Sequence, residues 1–147
     1  NGLLVIVLQN AASRRVSAAR LTSALMIGSL LYAAGYVMVG YSNGFPAMAL
    51  AIAVVTAGEV AISPSMNAMT VNLAPERLKG RYVGFQGLSF QLGLAIGPLL
   101  GGFALQYLSP RWVAGPWLIV GVLGAAASFC FYRFRRLIGA TEEGLAA

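Results

Sequence analysis

A single carboxylate, Glu59, lies inside a long apolar segment. Residues 45–74 contain no basic side chain that could pair with it. A charged side chain at the centre of a membrane costs at least ~2.5 kcal/mol, so such a group normally faces a polar partner or a water-filled cavity. A carboxyl group held under these conditions can take up and release a proton. Glu59 is therefore the first candidate for chemistry in this sequence.

Four further polar residues share a helical face with Glu59. At 100° per residue the five side chains fall within an arc of about 80°, and the other members are Thr56, Ser63, Asn67 and Thr70. Such a stripe can line a path for a substrate or for protons. It can also be a contact between helices made by small hydroxyl and amide side chains. For Glu59 the pathway is the favoured interpretation. For the other four residues both interpretations stay open.

The segment around Glu59 is one of four that are long enough to cross a bilayer. A spanning helix needs about 20 mostly apolar residues, and the candidates are residues 21–41, 45–74, 83–108 and 112–132. The chain of 147 residues is 59% apolar and 10% charged, whereas soluble domains average roughly 45–50% and 25%. The sequence therefore predicts an all-α integral membrane protein.

Both ends of the chain lie outside these four spans. We expect residues 1–9, which are mostly apolar, to be the last part of a further span that begins before Asn1. Residues 137–147 are expected to form a cytoplasmic tail. On this interpretation the chain is a fragment of a longer protein.

Basic residues alternate between the connections of the predicted helices. Lys and Arg are retained on the cytoplasmic side of a membrane, so residues 10–21, 76–82 and the tail are predicted inside, and residues 42–45 and 108–111 outside. The topology residues are Arg14, Arg15, Arg77, Lys79, Arg81, Arg133, Arg135 and Arg136. The net charge of +6 is thereby explained by orientation in a bacterial inner membrane and by contact with anionic lipid, not by nucleic-acid binding.

The sequence gives little support for a metal site, a cofactor site or enzymatic catalysis. Histidine is absent and cysteine occurs once, as Cys130, so neither an ordinary zinc or haem site nor an intrachain disulfide can be assembled. Glu59 has no acidic partner within the predicted spans for paired-carboxylate catalysis. We expect no cofactor, no metal and no enzymatic activity.

Glycine recurs every fourth residue in the third full span. Gly93, Gly97 and Gly101 form one stripe, with Pro98 and Gly102 beside it. Small residues at this spacing let another helix approach closely, and either a tight helix crossing or a hinge would explain them. In the second full span, Pro64 removes one backbone hydrogen bond and is expected to bend the helix beside the polar stripe.

With Gly84 included, these residues read G-x8-G-x3-G-P-x2-G-G. This resembles the glycine-proline motif of drug/proton antiporters in the major facilitator superfamily. Upstream, Gly58-Glu59 with Pro64, then Ala74-Pro75 and Gly80-Arg81-Tyr82, resemble span ten and the start of span eleven in bacterial multidrug-efflux members. Residues 1–9 with Arg14-Arg15 resemble the end of span eight and the loop after it. The resemblance extends to about Leu137.

The resemblance implies the C-terminal part of a twelve-helix fold, in which two six-helix halves enclose a central cavity and rock in alternating access. It implies a secondary transporter, with proton-coupled efflux of small drug-like compounds and with Glu59 at the depth of the cavity. Its partners would be the lipid bilayer, a small-molecule substrate and the missing N-terminal helices of the same protein. A sugar or metabolite carrier of the same fold, and a small oligomeric membrane channel or scaffold, are the alternatives.

Overall fold

The computed structural model describes residues 20–138, which form four long α-helices. These are α1 (Leu21–Tyr41), α2 (Phe45–Leu73), α3 (Lys79–Tyr107) and α4 (Gly115–Phe134), with a 3₁₀ turn at Glu76–Leu78 before α3. No strand occurs among the described residues. Each helix is long and apolar enough to cross a membrane. The predicted all-α architecture is confirmed, and the chain is a multi-pass membrane protein.

Two helix starts differ from the positions expected from the sequence. α3 begins at Lys79 and not at residue 83, because the helix continues through charged residues that an apolar-span criterion leaves out. α4 begins at Gly115 and not at residue 112. Pro116 lies in its first turn, where the fixed φ of proline suits a helix start. Trp112 consequently belongs to the turn between α3 and α4.

The boundaries of α2 follow from its flanking residues. Gly44, just before the helix, has φ 93°, a left-handed conformation that glycine adopts without a Cβ clash. Pro46 occupies the first turn. At the far end Ala74 has φ −81° and ψ 124°, because the residue before a proline is disfavoured in the helical region.

Residues 1–19 and 139–147 lie outside the described part of the chain. The partial span at residues 1–9, the topology residues Arg14 and Arg15, and most of the tail at 137–147 fall in these two segments. They stay predictions.

α1 packs between α2 and α4, and glycine brings its backbone close to α2. A Cβ added to Gly58 would lie 2.8 Å from the carbonyl oxygen of Gly28. A Cβ added to Gly35 would lie 2.9 Å from the backbone nitrogen of Val55. Since a backbone atom cannot move aside as a side chain can, both positions of this crossing require glycine.

The contact between α1 and α4 is also made by small residues. A Cβ added to Gly124 would lie 3.0 Å from the Cβ of Ala33 and 3.1 Å from the carbonyl oxygen of Ser29. One turn further along α4, Ser128 Oγ donates a hydrogen bond to the carbonyl oxygen of Met26 at 3.1 Å. Close approach of the two backbones makes this bond between helices possible.

α3 lies apart from the bundle of α1, α2 and α4. It contacts α2 and α4 only sparsely, and none of its residues is buried. A Cβ added to any glycine of α3 would meet no atom within 4 Å. Its surface is apolar, with Phe85, Phe90 and Leu100 strongly exposed. A helix crossing through Gly93, Gly97 and Gly101, one of the two interpretations of this stripe, therefore has no partner within residues 20–138.

Because successive helices run in opposite directions, most of the described basic residues lie at one end of the fold. Of the eight Lys and Arg residues between positions 20 and 138, seven lie where α1 and α3 begin or where α2 and α4 end. We call this the basic end. Its members are Arg20, Arg77, Lys79, Arg81, Arg133, Arg135 and Arg136. Arg111 lies at the opposite end, in the turn between α3 and α4.

Candidate functional site

Glu59 lies at the midpoint of α2, which extends from Phe45 to Leu73. Its side chain is half-buried, and it is the only carboxylate in the four described helices. With a rise of 1.5 Å per residue, Glu59 is about 21 Å along the helix axis from either end of α2. The described carboxylate nearest along the chain, Glu76, lies in the 3₁₀ turn at the basic end. Glu59 is thus far from both ends of its span.

Tyr32 on α1 lies beside Glu59. The contact point is Gly58, because a Cβ added there would lie 3.1 Å from both Cδ2 and the backbone nitrogen of Tyr32. The phenol is half-buried and close enough to Glu59 for the two groups to interact electrostatically. Since Gly58 has no side chain, the ring edge of Tyr32 rests on the backbone of α2 at the residue before Glu59.

Tyr32 is the first ring of an aromatic ladder, which consists of Tyr32, Tyr36 and Trp117. The ring centroids of Tyr32 and Tyr36 are 5.7 Å apart with an interplanar angle of 21°, and those of Tyr36 and Trp117 are 6.3 Å apart with an angle of 11°. Both separations are typical of stabilising ring pairs. The aromatic ladder connects α1 to α4 and extends from the level of Glu59 away from the basic end.

The predicted polar stripe on α2 lies in mixed surroundings. Thr56 is fully buried, with 0% of its surface exposed, and its hydroxyl donates to the carbonyl oxygen of Ile52 at 2.8 Å. Thr70 is half-buried and donates in the same way to Met66 at 2.9 Å. Ser63 and Asn67 are exposed. The structure therefore brings only part of the stripe to an open surface.

Asn67 connects α2 to α3 near the basic end. Its Oδ1 accepts a hydrogen bond from Gln86 Nε2 at 3.0 Å. Asn67 is a sequence candidate because of its spacing along α2 and its polar side chain. Its partner Gln86 lies on α3, so the spacing along α2 does not identify it. This amide pair is one of the few polar contacts between α3 and the bundle.

Pro64 lies inside α2 without ending it. In the same turn, the buried Ser65 donates its hydroxyl to the carbonyl oxygen of Ala61 at 2.7 Å. Hydroxyl groups commonly support the backbone of spanning helices around a proline. The polar stripe therefore continues past Pro64 on a single helix.

An apolar cleft of about 280 Å³ opens between α3 and α4. Gly97 and Gly101 line it from α3, and Pro116, Trp117 and Val120 line it from α4. Gly84, Gly93, Pro98 and Gly102 lie on exposed surface of α3 outside this lining. Trp117 thus belongs both to the aromatic ladder and to the wall of the cleft.

The sequence profile of the Major Facilitator Superfamily matches residues 2–145. The chain belongs to this superfamily. The predicted membership of this superfamily is confirmed, and the four described helices have the length and composition of membrane spans.

Several relatives of this superfamily member match over most of the chain. The chain is 31% identical over 121 residues to the multidrug resistance protein MdtH of Aeromonas hydrophila, and the aligned residues cover 78% of this chain and 30% of MdtH. It is 32% identical over 111 residues to the MFS-type transporter YdeE of Escherichia coli, covering 75% and 28%. It is 26% identical over 133 residues to the MFS-type transporter YttB of Bacillus subtilis, covering 89% and 34%. The chain thus spans about a third of the length of these curated relatives. No solved structure gives a significant match to it.

Three residues of the site are not marked by any pattern in the sequence. Tyr32 and Tyr36 are four residues apart, which places them on one face of a helix, but this spacing does not say which helix they face. Gln86 looks like an ordinary polar residue at the start of a span. Their roles depend on contacts between helices, which only the three-dimensional arrangement defines.

Proposed function

We propose that this chain is the C-terminal part of a secondary transporter that exports small drug-like compounds and is driven by protons. Membership in the Major Facilitator Superfamily supports transport by alternating access. The 31% identity to the multidrug resistance protein MdtH of Aeromonas hydrophila supports drug-like compounds as the substrate class.

The position of Glu59 is the observation that carries proton coupling. A carboxylate at the midpoint of a span is costly to keep ionised. Its uptake and release of a proton can therefore be coupled to the movement of substrate. In transporters built from repeats, substrate and coupling ion bind near the bilayer midplane. Ser63 and Asn67 have the exposure that a pathway needs, and Thr56 and Thr70 would shape α2 around it.

The rest of the transporter would be supplied by N-terminal helices of the same protein. The match to about a third of the length of MdtH, YdeE and YttB supports this partner. The exposed glycine stripe of α3 is proposed to pack against those helices, or to bend with Pro98 and Gly102 as they rock. The basic end would face the cytoplasm of a bacterial cell.

Export in everted membrane vesicles tests the proposal. The full-length protein is assayed with a fluorescent lipophilic compound, with and without an imposed pH gradient. The wild type is expected to need the gradient, and Glu59→Gln is expected either to lose transport or to transport independently of the gradient. Unchanged gradient-driven transport in Glu59→Gln would remove Glu59 from the mechanism. A wild type that moves sugars but no drug-like compound would favour a metabolite carrier, and passive flux in the wild type would favour a channel.

A further inference from the structure

The phenol ring of Tyr32 is held beside Glu59 from two directions. Its edge rests on Gly58, where an added Cβ would lie 3.1 Å from Tyr32 Cδ2. Its face stacks with Tyr36 at a centroid distance of 5.7 Å, and Tyr36 stacks in turn with Trp117 of α4. A side chain whose rotamer is fixed by packing holds its polar atom within narrow limits. The aromatic ladder and the contact with Gly58 therefore restrict the position of the Tyr32 hydroxyl.

The other titratable groups of the neighbouring helices lie further toward the helix ends. α1 contains no charged residue, and its tyrosines are Tyr32, Tyr36 and Tyr41. The groups on α4 are Cys130, Tyr132 and Arg133, and those on α3 are Lys79, Arg81, Tyr82 and Tyr107. Among them, Tyr32 is at the level of Gly58 and interacts electrostatically with Glu59. Tyr32 is therefore the titratable residue of α1 that lies at the level of Glu59.

We propose that Tyr32 is a positioning residue of the proton site and that its hydroxyl sets the protonation equilibrium of Glu59. A phenol hydroxyl can donate to an ionised carboxylate or accept from a protonated one, directly or through one water. In surroundings of low dielectric, a polar group acts more strongly on its neighbours than it does in water. The inference rests on the proposed function, because it gives Tyr32 a part in the proton chemistry assigned there to Glu59.

Carbodiimide labelling tests this without requiring transport. Dicyclohexylcarbodiimide reacts with protonated carboxyl groups in apolar surroundings, and mass spectrometry of the peptide that contains Glu59 quantifies the adduct across a pH series. The full-length protein is labelled in membranes, with Glu59→Gln as the blank. We expect Tyr32→Phe to move the pH of half-maximal labelling by about half a unit or more.

Tyr36→Phe is the matched control. It removes a hydroxyl one turn away in the same aromatic ladder and is expected to leave the pH of half-maximal labelling at the wild-type value. Wild-type behaviour of Tyr32→Phe would overturn the inference. Equal shifts in Tyr32→Phe and Tyr36→Phe would overturn it as well, since they would reflect the general polarity of the ladder.

The two proposals fail separately. If Glu59→Gln retains gradient-driven export while Tyr32→Phe shifts the labelling curve, the transport role of Glu59 falls and its pairing with Tyr32 stands. If Glu59→Gln abolishes the gradient dependence while Tyr32→Phe leaves the curve unchanged, the proposed function stands and Tyr32 is excluded.

Discussion

Ser128 on α4 donates a hydrogen bond of 3.1 Å to the backbone carbonyl oxygen of Met26 on α1, across 102 positions of the sequence. Ser128 is buried, with 6% of its surface exposed. Glycines on the same helix bring the two backbones together, since a Cβ added to Gly121 would lie 2.5 Å from Val37 Cγ2. The close approach of α1 and α4 and their hydrogen bond are therefore parts of one contact.

Replacing Ser128 by Ala is expected to destabilise this contact. Hydrogen bonds between spanning helices contribute about 0.6 kcal/mol on average, so the expected loss of unfolding free energy is of that order. The measurement is denaturant titration of the purified protein in detergent. Ser89→Ala is the control, because Ser89 is exposed and bonds to Phe85 of its own helix at 3.0 Å. An equal loss in both variants would contradict a specific role for Ser128.

Replacing Gly58 by Ala is expected to force α1 and α2 apart. The new Cβ would lie 2.8 Å from the carbonyl oxygen of Gly28, and overpacking of this kind typically costs about 1–3 kcal/mol. Thermal unfolding of the two variants Gly58→Ala and Gly87→Ala measures the difference. A Cβ on Gly87 would meet nothing within 4 Å, so this control should be neutral or slightly stabilising. Similar unfolding temperatures would show that the α1–α2 crossing is looser than described.

The Asn67–Gln86 hydrogen bond of 3.0 Å is expected to couple α2 to α3 energetically. In a double-mutant cycle with Asn67→Ala and Gln86→Ala, we expect a coupling energy of about 0.6 kcal/mol, and at most ~1.7 kcal/mol. The unfolding free energies of the wild type, both single variants and the double variant provide it. Strictly additive effects would mean that the two amides do not interact in the membrane.

The orientation of the fold is expected to follow its basic end. In a Cys130→Ala background, a membrane-impermeant maleimide added to intact cells should label Asn43→Cys, which lies in the turn between α1 and α2. It should not label Leu78→Cys, which lies in the 3₁₀ turn at the basic end, until the membrane is permeabilised. The reverse pattern would place the basic end outside and contradict the predicted topology.

The sequence was sufficient for the spans and insufficient for their contacts. Long apolar runs predict four spans, and the described residues form four helices that are long and apolar enough to cross a bilayer. The start of α3 at Lys79 was missed because helix continuation into charged residues is not an apolar signal. Gly28 and Gly35 are seven residues apart on one face of α1, but nothing in that spacing identifies α2 as the opposing helix.

The candidate site could likewise be predicted only in part from the sequence. Glu59 was identifiable because a charge inside a span is rare and costly. Tyr32 was not, because an aromatic residue in a span is ordinary until its neighbours are known. Thr56 and Asn67 share a helical face by their spacing, yet Thr56 is fully buried and Asn67 is exposed. Helical periodicity therefore does not predict which residues of a face are buried.

Proton movement coupled to substrate is the most direct test of the central claim, that Glu59 couples protons to export. The full-length protein is reconstituted in liposomes containing a pH-sensitive dye, and a drug-like substrate is added on one side. The wild type is expected to move protons opposite to the substrate, and Glu59→Gln is expected to move none. Binding of the substrate by Glu59→Gln, measured by fluorescence, would show that the variant is folded. Substrate-dependent proton movement in Glu59→Gln equal to that of the wild type would contradict the claim.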